Sequence, residues 1–408
     1  MDRDALVKRN QRMAKAFHAA PLKHRVRRLL LRSAAALPLR SCRPPAAERI
    51  LLIRPDHLGD VLLTMPAVHA LRRARPIAEI HALVGPWSAE LIAAYDCVDL
   101  VLTLAFPGFS RHPKVSWRSP YQMAWAAARR IRRVGYSSAV ICRPDHWWGA
   151  LVAYLAGIPV RVGCDLPDTK PFLTHPVPPV TAHAVVQNLH LVESWIGAPA
   201  HYAPALDFPV SDADRGFVAG YLQEWGIGPD DPVFCVHPGS GTWVKHWDER
   251  SWAVVADTLT EQLEAAAVFT GSDHELGMVR RITALMNKPA CIIAGETRVG
   301  QLAALFARAR VVLGPDSGPL HLAVAVGAPT VALYGPADPL EFGPWGSRER
   351  HIALTSDIGC RPCRVLDWAN DKPENHPCVR DIGVHQVLEA ARRAASSEQR
   401  GPLMGISK

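Results

Sequence analysis

Short apolar runs alternate with longer segments in which apolar residues recur every three or four positions. From Arg49 onward the short runs are typical of strands buried on both faces, and the longer segments of amphipathic helices. The strands predicted in the first half are RILLIR, AEIHALV, VDLVLT, SAVICR and PVRVGC. From about Asp231 the predicted strands are PVFCVHP, AAAVFTG, ACIIAG, ARVVLG and APTVALYG. This alternation predicts two doubly wound, Rossmann-like α/β domains with parallel sheets.

Helices are predicted between these strands, and a proline-containing stretch at 166–181 is predicted as loop. The helices are DVLLTMPAVHALRRA, SAELIAAY, YQMAWAAARRIRRVG, WWGALVAYLAG, HAVVQNLHLVESWIG, SWAVVADTLTEQL, ELGMVRRITALM, VGQLAALFARA and GPLHLAVAVG. The predicted divisions are a basic extension at 1–48 that ends in a proline-containing linker, a first domain at 49–200 and a second at 201–408. These divisions allow a further possibility, in which the last helix, at about 384–396, packs back on the first domain. Two such domains facing each other leave a cleft, where we expect the ligand site.

Length and composition narrow the class of protein. A chain of 408 residues is too long for one ordinary core, and 49% hydrophobic with 21% charged residues suits a soluble globular protein. The longest apolar runs fall short of the roughly 20 residues that span a bilayer. The first residues lack the apolar core of a signal peptide, so we expect a cytoplasmic protein. Nine scattered cysteines argue against a disulfide framework.

Formal net charge is +8, and much of the excess lies in the N-terminal segment LKHRVRRLLLRS. One interpretation is a basic amphipathic helix resting on an anionic surface, such as lipid or lipopolysaccharide headgroups. The alternative is a solvated extension without a partner. Nucleic acid is not an expected partner, because no recognition motif accompanies the charge.

The loop HPGSGTWVKHW, residues 237–247, joins a predicted strand to a predicted helix. Gly239 and Gly241 free the backbone to approach a ligand, and their amides can face an anion. Lys245 supplies a mobile positive charge that suits a phosphate. The spacing matches neither a Walker A loop nor a dinucleotide fingerprint, so an ordinary turn with a solvated lysine is the alternative.

The loop GPDSGPLHLAVAVGAP opens a predicted helix at about Ser317. Amides of Ser317 and Gly318 would point outward at the positive end of the helix. His321 shares that face one turn further along, and Asp316 could accept hydrogen bonds from sugar hydroxyls. The alternatives are a plain N-cap for Asp316 and a core histidine for His321.

Carboxylates also occur in the loop FTGSDHELG, where a predicted strand ends and a helix begins. A carboxylate in this position, such as Glu275, can hold a ribose diol. The alternative is that Asp273 caps the helix and Glu275 lies in its first turn.

Three cysteines near the end of the chain, Cys360, Cys363 and Cys378, form a C-x₂-C pair followed by a third. Thiolates at that spacing can hold a structural zinc or iron ion. The alternative is a set of cysteines without metal, and we assign the three no catalytic role.

Four segments, in this order, resemble the signatures of glycosyltransferase family 9, whose best-known members are ADP-heptose:lipopolysaccharide heptosyltransferases. The segments are LLIRPDHLGDVLLTMPAVHALR, HPGSGTWVKHW, GPDSGPLHLAVAVGAPTVALYGPADP and PC…CVRDIGVHQVLEA. The resemblance spans about residues 49–396. It implies a GT-B fold with the nucleotide-sugar donor in the second domain and the acceptor in the first. It also implies an inverting transfer that requires no divalent metal or other cofactor.

The resemblance assigns roles to residues of these loops. Donor binding falls to Ser240, Gly241, Lys245, Glu275, Asp316, Ser317, Gly318 and His321. Asp60 matches the family's candidate catalytic base, which must lie within hydrogen-bond reach of the acceptor hydroxyl. The alternative for Asp60 is an N-cap, and Asp56 is the rival base.

Acceptor contacts are assigned to Asp56, Gly59 and Arg118. Gly59 would let the backbone lie close to the sugar. Arg111, Lys114 and the RRIRR segment at 129–133 could face anionic groups of the acceptor, and a solvated basic helix face is the alternative.

The predicted function is therefore transfer of heptose from ADP-heptose to a lipopolysaccharide core acceptor at the inner face of the inner membrane. A rival keeps the fold but uses another nucleotide-sugar donor or a protein acceptor. Other classes are a nucleotide-sugar epimerase or hydrolase, and a binding module without catalytic activity.

Overall fold

The computed structural model of the chain describes residues 2–19, 22–35, 47–109, 116, 118–197, 205–368 and 371–397. The chain divides into two compact units: a first unit of residues 15–209, and a second unit of residues 210–408 together with 1–14. Most of the linker predicted before residue 49 and the junction predicted near residue 200 lie outside the described residues.

Two helices precede the first strand, α1 at Arg3–His18 and α2 at Leu22–Ala35. The extension predicted at 1–48 therefore contains two helices. The boundary between the two units falls within α1, between residues 14 and 15. The segment LKHRVRRLLLRS is helical, as one interpretation of its pattern predicts.

The first unit is built on a parallel six-stranded sheet with strand order β3-β2-β1-β4-β5-β6. The strands are β1 Arg49–Arg54, β2 Glu79–Val84, β3 Leu100–Thr103, β4 Ser138–Ile141, β5 Val160–Cys164 and β6 His175–Val177. The central strand pairs on both sides, with Ile50 opposite Ile80 and opposite Ser138. Five strands confirm the sequence prediction. The sixth, β6, lies in the stretch predicted as loop, since a short edge strand tolerates the proline at Pro176.

The helices of this sheet after α2 are α3 Leu58–Leu62, α4 Met65–Ala74, α5 Ala89–Ala93, α6 Ser119–Val134, α7 Trp147–Leu155 and α8 Ala184–Ile196. The single helix predicted from Asp60 is two, α3 and α4. Pro66 lies in the first turn of α4, where its missing N–H costs nothing, but it could not continue an uninterrupted helix.

The second unit has a parallel six-stranded sheet with order β12-β11-β10-β7-β8-β9. Its strands are β7 Val233–Val236, β8 Ala266–Phe269, β9 Ala290–Ile292, β10 Val312–Pro315, β11 Thr330–Tyr334 and β12 His351–Thr355. Both sheets therefore have the doubly wound strand order, with its reversal between β1 and β4 and between β7 and β10. The predicted architecture of two doubly wound α/β domains is confirmed.

The helices of the second sheet are α9 Asp212–Glu224, α10 Glu249–Gln262, α11 Leu276–Ala284, α12 Val299–Arg308, α13 Gly318–Ala325, α14 Pro339–Phe342 and α15 Val384–Ala395. Short 3₁₀ turns occur at Pro86–Ser88, Lys170–Phe172, Trp243–Lys245 and Pro373–Asn375. Within the described residues, each helix is too short or too polar to cross a membrane.

Helix α15 lies in the core of the second unit. Val387, Ala391 and Ala394 are fully buried, in one cluster with Trp252 of α10. The sequence left open that this helix packs on the first domain. The structure instead buries its apolar stripe in the core of its own unit.

Helix α1 packs on the second unit through residues one turn apart. Leu6, Asn10 and Ala14 are buried. Asn10 Nδ2 donates a 2.8 Å hydrogen bond to the carbonyl of Asn375, and Arg9 lies 2.5 Å from the carboxylate of Asp371. The first helix is therefore an integral part of the second unit rather than a solvated extension.

Replacing Asn10 by Ala leaves the partly buried carbonyl of Asn375 without its donor. We expect a loss of about 1–3 kcal/mol in the free energy of unfolding, seen as a lower Tm for the unit that contains α1. The matched control is Gln11→Ala. Gln11 also donates to a carbonyl, that of Gly359 at 2.9 Å, but is exposed, so its loss should stay within about 0.5 kcal/mol. Equal effects of the two variants would show that α1 is not anchored at Asn10.

Candidate active site

The carboxyl ends of β1 and β4 meet where the strand order of the first sheet reverses. Asp56 follows β1 by two residues and Arg143 follows β4 by two residues. Arg143 Nη1 donates a short hydrogen bond to Asp56 Oδ1 across this point. Ligands of doubly wound sheets bind beyond this edge, so the pair marks a candidate site.

Asp56 is held by two guanidinium groups. Arg54 Nε lies 3.0 Å from its second carboxylate oxygen, and its side chain is only 2% exposed. Burial alone would raise the pKa of Asp56, but the charges of Arg54 and Arg143 outweigh burial and place the pKa below its ordinary value. A carboxylate fixed in this way is a weak proton acceptor, which disfavours Asp56 as the base.

Asp60 lies in the first turn of α3 and its side chain is 40% exposed. The helix begins after His57, which occupies the N-cap position, so the alternative that Asp60 is an N-cap is wrong. Arg54 Nη2 lies 3.7 Å from Asp60 Oδ1, and Arg54 Nη1 is itself anchored by a 2.7 Å hydrogen bond to the carbonyl of Cys142. Arg54 therefore connects the buried carboxylate at 56 with the accessible one at 60.

The other predicted acceptor residues are placed as follows. Gly59 is buried within α3 beside Asp60. Arg118 is exposed at the N-cap position of α6. Arg111 and Lys114 lie outside the described residues.

The second sheet has a pair of opposite charges at the equivalent point. Lys245 ends the 3₁₀ turn after β7, and Asp316 follows β10 directly. Lys245 Nζ lies 2.6 Å from Asp316 Oδ2 and 3.2 Å from the Asp316 carbonyl oxygen, with both side chains largely buried. The lysine is therefore held at the strand reversal and does not extend into solvent as the alternative proposed.

Helix α13 begins beside this pair. Its N-cap is Ser317, so the alternative that Asp316 is a plain N-cap is wrong. The Ser317 hydroxyl is buried and has no hydrogen-bond partner among the described residues. Gly318 is the first helical residue, and His321, which is buried, donates its backbone N–H to the Ser317 carbonyl at 3.4 Å. An unpaired hydroxyl at the positive end of a helix suits an anionic ligand.

Glu275 approaches the loop that carries Lys245. A Cβ atom placed on Gly239 would overlap the Glu275 carboxylate, so a side chain there would displace that carboxylate. The carboxylate accepts hydrogen bonds from the backbone N–H and the hydroxyl of Ser272, at 2.7 and 2.8 Å. Burial alone would raise its pKa, but His237 and these hydrogen bonds lower it.

The predicted alternative for this loop made Asp273 the helix cap, whereas the N-cap position of α11 is Glu275 itself.

Ser240 and Gly241 differ in their availability to a ligand. The Ser240 hydroxyl donates a 2.8 Å hydrogen bond to the carbonyl of Thr242 within the same loop. No atom of the described residues lies within 4 Å of a Cβ placed on Gly241, so its backbone can be approached from that side. The structure therefore brings together Glu275 with the glycine loop, and Lys245 with Asp316 and α13.

Sequence patterns missed three residues of these sites: Arg54, Arg143 and His237. Arg54 and Arg143 lie at or just beyond the ends of adjacent strands, and the rule that such ends share one sheet edge could have identified them. His237 follows β7, is buried, and its Nδ1 lies 3.0 Å from Thr270 Oγ1. Burial lowers the pKa of His237, and the nearby carboxylate of Glu275 opposes that change.

Cys360, Cys363 and Cys378 line one small cavity with Asn10 and His376. Burial raises the pKa of all three thiols, that of Cys378 to about 12. His376 Nε2 lies 2.9 Å from Asp371. Within the described residues no three acidic, cysteine or histidine side chains are arranged to hold a metal ion. The structural metal ion at these cysteines stays a prediction, and we assign no step to a metal there.

This chain is similar to known proteins in sequence and in structure. The Pseudomonas aeruginosa lipopolysaccharide heptosyltransferase 1 is 28% identical over 342 residues, which cover 83% of this chain and 93% of that protein. The crystal structure of a family 9 glycosyl transferase from Veillonella parvula matches with a TM-score of 0.70 and 24% identity, over 85% of this chain and 97% of that one. The E. coli heptosyltransferase WaaC with ADP-2-deoxy-2-fluoro heptose matches with a TM-score of 0.55 and 20% identity, over 71% and 90%.

The two parallel-sheet domains and these structural neighbours together establish the GT-B fold. The family model described as glycosyltransferase family 9 (heptosyltransferase) matches residues 124–372, more than half of the chain. The chain therefore belongs to glycosyltransferase family 9, the heptosyltransferase family.

Proposed function

We propose that this protein transfers a heptose from ADP-heptose to a lipopolysaccharide core acceptor with inversion at the anomeric carbon. The observation that carries the proposal is the second sheet's site, where Lys245, held by Asp316, lies beside the unpaired Ser317 hydroxyl at the start of α13. Curated relatives that share most of this chain's length are lipopolysaccharide heptosyltransferases, which supports this donor and acceptor.

The leaving group is a nucleoside diphosphate, which gains negative charge as the glycosidic bond breaks. The ammonium group of Lys245 and the amides at the start of α13 are positive groups fixed before the reaction, and such fixed groups stabilise developing charge most effectively. The Ser317 hydroxyl is placed to donate to a phosphate oxygen. Asp316 keeps the lysine at this position, because the two groups are joined in the unliganded protein.

The nucleoside end of the donor is proposed to lie along the loop that Glu275 approaches. The lowered pKa of Glu275 keeps it ionised at neutral pH, so that it can accept hydrogen bonds from a ribose diol. The absence of a side chain at Gly239 leaves room for that carboxylate beside the loop.

The acceptor hydroxyl is proposed to lose its proton to Asp60. The freed oxygen lone pair forms the new bond to the anomeric carbon from the side opposite the diphosphate, and the bond to the diphosphate oxygen breaks with its electron pair going to ADP. Asp60 is partly exposed, whereas Asp56 is buried and doubly paired, which supports this division of roles. Arg54 is a positioning residue that orients the Asp60 carboxylate.

The acceptor core is carried on a membrane lipid, so we propose that the enzyme works in the cytoplasm at the inner surface of the inner membrane. Gly59 and Arg118 remain proposed acceptor contacts.

Incubation with ADP-heptose and a lipopolysaccharide core acceptor should release ADP and add one heptose to the acceptor. Mass spectrometry reports the added heptose, and NMR of the new linkage reports its anomeric configuration.

In parallel, ADP and ADP-sugars should raise the Tm more than UDP or GDP and their sugars, because ligands that bind the folded protein stabilise it. Release of ADP without acceptor would indicate a hydrolase, and preference for UDP or GDP would indicate another donor.

Replacing Lys245 by Ala alone would leave the Asp316 charge buried without a partner, so the informative variant is K245A/D316N. We expect the Kd for ADP to rise roughly 10- to 100-fold, because a charge-assisted contact to the diphosphate is lost. Isothermal titration calorimetry measures the affinity. The control is Lys288→Ala, which breaks an exposed pair with Glu261 and should leave the Kd unchanged. An unchanged Kd in the double variant would remove Lys245 from the donor site.

Replacing Asp60 by Asn should lower kcat by about 10²- to 10⁴-fold while donor binding and Tm stay near those of the wild type. Replacing Asp56 by Asn should instead lower the stability of the first unit by about 3 kcal/mol, because the buried guanidinium group of Arg54 and the partly exposed one of Arg143 lose their carboxylate. Steady-state kinetics, donor titration and thermal unfolding separate the two outcomes. The assignment of the base is wrong if the Asp60 variant retains transfer.

A further inference from the structure

Helix α6 buries a narrow stripe of mostly small residues and exposes two aromatic side chains. Ala124, Ala128 and Ile131 face the core, whereas Trp125 is 58% and Tyr121 38% exposed. These two aromatic residues are four positions apart, so they lie on the same face of the helix. A large exposed aromatic pair on one face marks an interaction surface rather than ordinary scatter.

The C-terminal half of the same helix carries four exposed arginines: Arg129, Arg130, Arg132 and Arg133. None of the four makes a salt bridge to any residue that the structure describes. Residues 100–134 contain seven lysines and arginines and no aspartate or glutamate. Since no acidic residue in the described part of the chain pairs with the four arginines of α6, this positive face fits an anionic partner.

A groove of about 530 Å³ lies between α6 and the edge strand β3. Its apolar lining includes Leu83, Leu102 and Ile131, and Arg130 and Arg133 also line it. An apolar groove flanked by guanidinium groups suits a molecule with an aliphatic chain and a phosphate headgroup.

We propose that the exposed face of α6, together with this groove, docks on a bilayer of anionic phospholipid. We call this the α6 surface. Its arginines would meet lipid phosphates, Trp125 and Tyr121 would lie at the headgroup level, and the groove would take an acyl segment. The inference deepens the proposed function, in which the acceptor is attached to a membrane lipid, but docking itself requires no donor and no transfer.

Another basic helix of the first unit, α2, is a weaker candidate for this role. Arg28 forms a salt bridge with Asp168 at 2.8 Å, and the guanidinium of Arg27 lies 4.7 Å from the ring centre of Trp147. Leu31 is buried in the core of the first unit. Arg27, Arg28 and Leu31 of α2 thus contact the protein, whereas on α6 the Tyr121 ring lies 6.2 Å from that of Trp147 and Trp125 and the four arginines are exposed.

Flotation with vesicles of phosphatidylglycerol and phosphatidylethanolamine tests the proposal on the full chain without donor. The R129Q/R132Q variant should bind roughly 30-fold more weakly, since each arginine near an anionic surface contributes about fivefold. Trp125→Ala should also weaken binding, with the Tm unchanged because the side chain is exposed. The matched control is R392Q/R393Q, two exposed arginines in the last turn of α15, which should bind as the wild type does.

Equal binding to phosphatidylcholine vesicles, or equal losses in the α6 and α15 variants, would overturn the proposal. So would a dimer in sedimentation velocity that Trp125→Ala dissociates, since a second copy of the chain would then cover the α6 surface. Transfer to a water-soluble core fragment should survive Trp125→Ala, with only the KM for a lipid-embedded acceptor raised. Vesicle binding without any transfer activity would contradict the proposed function and still support the α6 surface as a docking site.

Discussion

A charged side chain buried at the carboxyl end of a parallel strand is tolerated when an opposite charge contacts it there. Removing an ion from water costs several kcal/mol, and a well-placed partner with further hydrogen bonds offsets that cost. In the first sheet Asp56 meets Arg143, 87 residues away, and in the second Lys245 meets Asp316, 71 residues away. Each pair joins the ends of the two strands between which the strand order reverses. The doubly wound topology therefore determines where the two charged sites lie, because it brings these strand ends together.

Much of the fold follows from local patterns, because strands covered on both faces are continuous apolar runs that stand out in the sequence. All the predicted strands are present. The edge strands β6 and β12 escape this signal, since β6 has three residues with a central proline and β12 is only partly buried. Helix α9 escapes because Gly216 and Gly220 weaken its helical pattern, although tertiary packing overrides that propensity.

The candidate site could be predicted as far as its residues are neighbours in sequence. Ser317, Gly318 and His321 follow one another at the start of one helix, and the helical period alone aligns them. Arg54 and Arg143 required the register of β1 against β4, which no local pattern contains. The approach of Glu275 to Gly239 likewise depends on how two separate loops fold at one sheet edge. Contacts between residues far apart in sequence therefore decide which charged side chains form ion pairs within the protein and which can contact a ligand.

The two sheets share one topology, and the polar group that lies beside the buried ion pair at each reversal distinguishes their chemistry. In the first sheet the buried carboxylate of Asp56 is satisfied by two guanidinium groups, and a second carboxylate, Asp60, stays accessible beside one of them. In the second the charges of Lys245 and Asp316 balance, and the buried hydroxyl of Ser317 at a helix N-terminus is left to donate. An accessible carboxylate can take a proton, whereas a donor among positive dipoles can hold an anion. A glycosyl transfer needs one of each, and this contrast supports assigning the base to the first sheet and the diphosphate to the second.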